Sequence, residues 1–515
     1  MKNAVPATNE YLFPKLKLEF RSSIAVREWS DREGSFFYLS LIYSEIDDRV
    51  SSFRDKLPGA ANPLRHLELT DALIHFRGDK DVNVYRGGSC TFPLYWKTGN
   101  NLLIIASQLP ISGHQNFSRR NFVSFFANVS LQSAYEPNCF ASTPLGNWKR
   151  LRRGTATFFK DNVFVGEEIF LHESLTKITC EDEMVEMVQC AFNSYGTSQK
   201  HGKSSVLELS GGFDSTLAAA AAPALMPSMH GVSVEFPYYE FRFEAEVQEE
   251  VGRELRISRS VLDGTDAFPY SAVDEVFLFD EPTVFVTGLR HAEQVAQFAR
   301  SRDASFLYIG HGGDQLFATD LQTTDPVSNL RFEKGLFSRE AQHTLASAYN
   351  IIKGSPWLQR ASACFVYDAC IDVWMNERYG LTVRTPFTDL KMFKVALCWS
   401  DWCKQFAARP DKSILARSMQ EILPDAVLNR KGKVAYDGVW LRGYMKHADH
   451  ISSVFDQTSS VLEHIGLSPR WLINRVKDIA SLQASSSAEI VAAYAISHWL
   501  LSWNIRRVED VNWID

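Results

Sequence analysis

Residues 206–216 read Val-Leu-Glu-Leu-Ser-Gly-Gly-Phe-Asp-Ser-Thr, an apolar run that breaks at Ser210-Gly211-Gly212 and resumes as a helix-like one. Two glycines let a backbone turn tightly and approach a ligand closely. A helix beginning there presents its first N–H groups and its positive dipole end, which together make a seat for a phosphate-like anion. Ser210, Ser215 and Thr216 add hydroxyl groups. Asp214 does not suit phosphate directly, because like charges repel; it fits if Mg²⁺ bridges the two. A second such loop follows downstream, Tyr308-Ile309-Gly310-His311-Gly312-Gly313-Asp314-Gln315-Leu316-Phe317. Asp214 and Asp314 could then share one or two Mg²⁺ ions over a pyrophosphate, with Gly310 and Gly312 shaping the second loop. Two further segments supply cations: Asp411-Lys412-Ser413 and Arg430-Lys431-Gly432-Lys433. Breaking a phosphoanhydride builds negative charge on oxygen, and fixed cations aimed at it stabilise the transition state. Lysine suits this as a compact point charge, so Lys412 and Lys433 are read as catalytic cations and Lys431 as a solvated neighbour.

The elements that must carry these loops alternate. Residues 205–209, 230–236, 258–262 and 306–309 read as short buried strands, and residues 215–222, 242–255 and 291–302 as helices. Strand–helix alternation predicts a parallel α/β sheet, whose ligands bind outside the carboxyl ends of the strands. Upstream, residues 36–43, 83–85, 102–107 and 156–165 are alternating or apolar runs separated by turn signals, which predicts a β-rich N-terminal region. A helical stripe over 181–194 marks the change, so the expected division is 1–178 and 179–515. From about residue 338 the sequence is helical in pattern and rich in Trp, Phe and Leu, with Trp499 and Trp503 expected in the core.

Composition narrows the classes. The chain has 515 residues, 45% hydrophobic and 22% charged, with a formal net charge of −7. That balance gives no electrostatic footprint for nucleic acid. The eight cysteines form no CxxC pair and read as reduced core residues of a cytoplasmic protein. The N-terminus lacks an apolar signal core, and the longest apolar run, residues 217–226, is interrupted by Pro223, far short of a membrane span. His447 and His450, three apart, read as a surface pair, and Asp280-Glu281-Pro282-Thr283 as either an active-site wall or a helix-cap cluster.

The Ser-Gly-Gly-x-Asp-Ser string resembles the signature of the PP-loop ATP pyrophosphatases, which place AMP on a carboxyl or carbonyl oxygen. With the Gly-Gly-Asp loop and the lysine segments, the chain resembles the asparagine synthetase superfamily over essentially its whole length. Arg384-Thr385-Pro386-Phe387-Thr388-Asp389 matches that family's Arg-x-Pro-Phe-x-Asp segment, and Gly231-Val232-Ser233-Val234-Glu235 its adenine-side strand, which assigns Val232 to nucleotide contact. The resemblance implies a degenerate glutaminase-like (Ntn-type) α+β sandwich followed by a PP-loop α/β domain with a helical C-terminal part. It also implies ATP and Mg²⁺ as cofactors. Ser210, Gly211, Gly212, Asp214, Ser215, Gly310 and Gly312 would lie around the nucleotide.

Glutamine-dependent members use an N-terminal cysteine to release ammonia. This sequence begins Met1-Lys2-Asn3 and its first cysteine is Cys90, so the attacking nitrogen is expected to belong to the substrate itself. Gly310–Phe317 has the Gly-His-Gly-Gly-Asp-x-x-Phe form similar to lasso peptide cyclases, whereas β-lactam-forming members carry Tyr at the position of His311. That resemblance implies an ATP-dependent macrolactam synthetase that adenylates an Asp or Glu side chain of a precursor peptide and joins it to the peptide's α-amine. His311 would accept the amine's proton. A leader peptidase and a leader-recognition protein would be its partners. The alternatives are a β-lactam synthetase or other amide ligase on the same scaffold, and, in another class, a non-catalytic peptide-binding scaffold.

Overall fold

The computed structural model describes residues 8–13, 16–31, 34–40, 46–56, 71–77, 81–87, 90, 92–99, 102–111, 115–130, 142–169, 178–198, 204–221, 229–238, 242–318, 335–339, 341–342, 368–406, 408, 411–430, 437–485 and 487–514. They form a mixed α/β protein with a β-rich N-terminal region and a helical C-terminal part.

The N-terminal region is a pair of sheets. Leu16–Arg21 shows the alternation that half-buried strands require, with Leu16, Leu18 and Phe20 inward. It pairs with Thr8–Phe13 and Leu102–Ala106, and the latter with Tyr95–Gly99 and then Lys149–Arg150. Six further strands, in spatial order Val163–Ile169, Thr155–Lys160, Asp81–Arg86, Ala72–Arg77, Gly34–Ser40 and Ala25–Asp31, make the second sheet. The sheets share one core of Leu18, Phe20, Leu103 and Ile105 from the first with Phe37, Leu39, Ile74 and Val84 from the second. Helix Ile46–Lys56 sends Ile46 and Val50 onto the other face of the six-stranded sheet. The run read as one strand over 156–165 is two, because Asp161 and Asn162 take positive φ (50° and 65°) and fold it into a hairpin.

The second region is built on five parallel strands in the order Ser258–Asp263, Met229–Glu235, Ser205–Glu208, Phe306–Tyr308 and Thr382–Arg384. The expected alternation is present, with helices Phe213–Ala220, Arg242–Glu254 and Leu289–Ser301 between strands. The fifth strand, only three residues long, lies inside the stretch whose composition reads as helical. The sheet separates two cores. Leu207 and Leu209 face Val188, Leu217 and Val251 on one side, while Val206 and Val232 face Val295, Ala296 and Ala299 on the other.

The order of these strands fixes where a ligand can bind. From Ser205–Glu208 the chain passes first to the neighbour on one side, and two strands later returns to the other side at Phe306–Tyr308. The connections leaving these two strands therefore diverge, opening a crevice at their carboxyl ends.

The two regions are joined over a broad face. Helix Arg119–Ser130 packs on helix Ala488–Ser502, and strand Asn512–Ile514 runs parallel to Asn116–Ser118. Trp499 and Trp503 both donate their indole N–H to the carbonyl of Phe279, at 2.8 and 2.9 Å. Arg21, 1% exposed, donates to Asp280 at 2.9 Å and to Glu377 at 3.0 Å, and Arg150 pairs with Glu281. Asp280 and Glu281 thus face the N-terminal region and clamp the two regions together instead of walling the crevice. Thr283 caps the short helix Val284–Thr287.

Candidate functional site

The crevice is lined by the two glycine-bearing loops. After Ser205–Glu208 the backbone turns through Gly211, at φ +70°, into helix Phe213–Ala220. A side chain at Gly211 would meet Gln248 Cγ at 2.9 Å, so this corner requires glycine for both its angle and its space. Ser210 and Ser215 hydroxyls lie 2.9 Å apart across the turn, and Ser210 Oγ also accepts from the Gly212 N–H at 3.3 Å. Ser215 and Thr216 hydroxyls donate back to the Gly212 carbonyl at 3.0 and 2.9 Å.

The second loop leaves Phe306–Tyr308 and runs against the first. A Cβ at Gly310 would fall 2.5 Å from the Asp214 carbonyl carbon and 2.7 Å from Ser215 Cα; one at Gly313 would fall on the Asp214 carboxylate. Gly312 lies at φ +110°, with Phe387 beneath it. The Arg384–Asp389 segment supports this loop from below. Thr385 Oγ1 donates to the His311 carbonyl at 2.8 Å, Phe387 is fully buried, and Asp389 caps helix Leu390–Gln405 by accepting from Lys391 N–H at 2.8 Å. His311 therefore sits at the apex of a loop whose backbone is fixed on both sides.

Both aspartates reach one cation. Lys412 Nζ donates to Asp214 at 2.6 and 2.7 Å and pairs with Asp314 Oδ1 at 2.5 Å. Sharing one ammonium at those distances puts the two carboxylates within about 5 Å of each other. Two carboxylates converging from separate loops, with a single positive charge between them, are the donor set a divalent cation takes when phosphate oxygens and water complete its shell. Among the described residues no group of three or more His, Cys, Asp and Glu forms a metal cluster.

Other expected residues fall elsewhere. Val232 lies inside the sheet, its side chain in the core and its carbonyl accepting from Leu209 N–H at 2.8 Å. Lys431 and Lys433 lie outside the described residues. Cys90, Cys398 and Cys403 are buried as expected, but Cys180 and Cys190 are exposed. His447 and His450 face different partners, Ser271 and Tyr494, at 3.0 and 3.1 Å.

Four residues around the first loop escape a sequence reading. Arg430 donates to the Gly211 carbonyl at 3.0 Å and pairs with Glu244; Gln248 donates to the Ser210 carbonyl at 3.3 Å and accepts from Arg259 at 3.1 Å. The one available signal is that Glu244 and Gln248 stand four apart and so share a helix face. Nothing in the sequence says which face meets the loop.

Comparison with known proteins bears on the same region. A family profile described as asparagine synthase matches residues 205–364 and 366–499, more than half of the chain. A search of curated proteins returned no match. Among solved structures, the U34-tRNA thiolase NcsA from Methanococcus maripaludis, determined with its 4Fe-4S cluster, aligns at 13% identity over 50% of this chain and 86% of that one, with a TM-score of 0.21. At that score the likeness bears on neither fold nor function.

Proposed function

The chain belongs to the asparagine synthase family, whose members are ATP-dependent ligases, and from that premise we propose that it is a lasso peptide macrolactam synthetase. The supporting observation is the convergence of Asp214 and Asp314 on Lys412 at the carboxyl ends of the two strands whose connections diverge. This is the place and the charge pattern that activation of a carboxylate by ATP requires. A carboxylate is a poor electrophile, and its mixed anhydride with AMP is a good one.

The following roles are proposed. Ser210, Gly211, Gly212 and Ser215 form a polar turn at a helix N-terminus, which binds phosphate oxygens. Asp214 and Asp314 would hold Mg²⁺, which supplies charge neutralisation on the departing pyrophosphate. Lys412, which lies between them, is proposed as a cation for the phosphate oxygens. Lys433 is proposed as a second cation.

The second half-reaction is amide formation. The proposed nitrogen is the peptide's own α-amine, which has an ordinary pKa of about 8 and needs only a modest acceptor. His311, at the apex of the second loop, is proposed for that proton. The enzyme must also hold the peptide tail threaded and keep water from the activated carboxyl. A leader peptidase and a leader-recognition protein are the proposed partners. Among the described residues no helix is long and apolar enough to cross a membrane.

The test is to incubate the full chain with ATP, Mg²⁺ and leaderless core peptides bearing an Asp or Glu acceptor, following pyrophosphate release and loss of one water from the peptide. Peptide-dependent pyrophosphate with a cyclised product supports the reading. Pyrophosphate release with a small β-amino acid and not with peptides transfers the protein to the β-lactam-forming class. No nucleotide turnover with either, in a folded protein that binds peptide, leaves a binding scaffold.

A further inference from the structure

Four consecutive carbonyls of the first loop are each held by a side-chain donor. Leu209 O accepts from Ser233 Oγ at 2.6 Å, Ser210 O from Gln248 Nε2 at 3.3 Å, Gly211 O from Arg430 Nη1 at 3.0 Å, and Gly212 O from Ser215 and Thr216. Peptide groups are planar and trans, so a carbonyl held on one side turns the next residue's N–H to the other. With the Ser210 and Gly211 carbonyls drawn to Gln248 and Arg430, the N–H groups of Gly211 and Gly212 turn to the opposite side, where that of Gly212 meets Ser210 Oγ at 3.3 Å. Successive N–H groups presented in this way make a concavity that binds anions.

This arrangement needs something to hold it. Gly211 lacks a side chain and lies at φ +70°, so the peptide joining it to Gly212 meets little steric resistance to flipping. A flipped peptide would aim a carbonyl oxygen into the phosphate seat. Arg430 is the charged donor opposing that flip. It is 8% exposed, its guanidinium stacks over Phe243 at 5.5 Å, and its charge is balanced by Glu244 on the same helix as Gln248. Gln248 is itself fixed by Arg259, which also pairs with Glu235 at 2.8 Å.

We propose that Arg430 is a positioning residue for polyphosphate binding, holding the Gly211 carbonyl out of the crevice so that the loop presents N–H groups to the anion. It acts through the loop backbone and not by touching phosphate. The inference rests on the ATP reading above, but it concerns binding alone.

The experiment measures magnesium pyrophosphate and ATP binding calorimetrically, on the full chain, for the wild type, Arg430→Ala and Arg430→Lys. Arg430→Ala should weaken pyrophosphate about 10- to 100-fold, as expected when a preorganised anion site loses its donors' orientation. Arg430→Lys should recover part of the loss, and free guanidinium should restore Arg430→Ala, which a purely structural defect would not allow. Should Arg430→Ala prove insoluble, Arg430→Gln and Gln248→Leu are read in the same way. Wild-type affinity in folded Arg430 variants overturns the inference while leaving the ligase reading intact. Normal pyrophosphate binding without any peptide-dependent turnover defeats the ligase reading and leaves this one standing.

Discussion

Lys412 occupies the position between Asp214 and Asp314 that a divalent cation would take, so removing its charge should improve metal binding while harming catalysis. The size of the effect follows from exposure. Asp214 and Lys412 side chains are 17% and 19% exposed, whereas Asp314 is 56% exposed. The Asp314 arm is therefore a surface contact contributing about 0–1 kcal/mol. The Asp214 arm is half-buried; its gross attraction of about 4 kcal/mol at an effective dielectric near 20 is reduced by desolvation to roughly 1.5–2 kcal/mol. Together the ammonium opposes a free metal ion by about 1.5–3 kcal/mol, or roughly 10- to 100-fold in affinity. In Lys412→Met, Mn²⁺ titrated without nucleotide and followed by its paramagnetic resonance should bind tighter by that factor. Adding Asp314→Asn to the variant should remove the gain. Pyrophosphate release should meanwhile fall about 10²- to 10³-fold, because a transition-state cation is gone. Mn²⁺ affinity that is unchanged or weaker in a folded Lys412→Met protein would refute the reasoning, since the two carboxylates would not then be competing for one cation.

Three further outcomes are expected. Gly310→Ala puts a methyl group onto the Asp214–Ser215 backbone, which cannot yield as a side chain could, so the loops should part; pyrophosphate release should drop about 100-fold and stability by about 1–3 kcal/mol in denaturant titration, and a neutral result would contradict the close approach. His311→Ala should leave ATP–pyrophosphate exchange near wild type while slowing ring closure about 10²- to 10⁴-fold, and equal losses in both steps would remove the proton-acceptor role. At the clamp between the two regions, Arg21 and Arg150 face three carboxylates, so negative charge is in surplus. Burial, with Glu281 and Glu377 adding to it and Arg21 opposing, pushes Asp280 up to about 6. An acid raised on folding adds stability below its unfolded pKa, near 3.9, and that contribution is lost as the pH climbs to the folded value. Asp280→Asn should therefore gain stability relative to wild type between about pH 4 and 6, and a pH-independent difference would show that Asp280 does not titrate there.

Much of the site is legible in the sequence because its parts are local. Ser210–Thr216 and Gly310–Asp314 each announce a strand end, a turn and a carboxylate within a few residues, and the alternation of strands and helices brings both to one sheet edge. What stays hidden depends on which helix face meets which loop. Arg430 and Gln248 are ordinary surface-type residues until folding turns them onto the loop carbonyls, with Glu244 and Arg259 holding them there. For Val232 the place in a strand is readable, but the depth at which its side chain lies in the core is not. Thr382–Arg384 was masked by its length, since three residues carry no period. Asp280 and Glu281 look like a functional acidic pair because their arginine partners lie 259 and 131 residues away in sequence.

The pairing of Asn512–Ile514 with Asn116–Ser118 returns the last strand of the chain to its first third. Phe117 and Phe122 meet Trp499 at 6.1 and 5.8 Å across the same seam. During synthesis, strand Asn116–Ser118 gains this partner only once residues 512–514 have been made. A fragment beginning near residue 179 would carry three acidic side chains stripped of their arginines beside a raw aromatic surface. Fusion tags and split reporters therefore belong away from that seam.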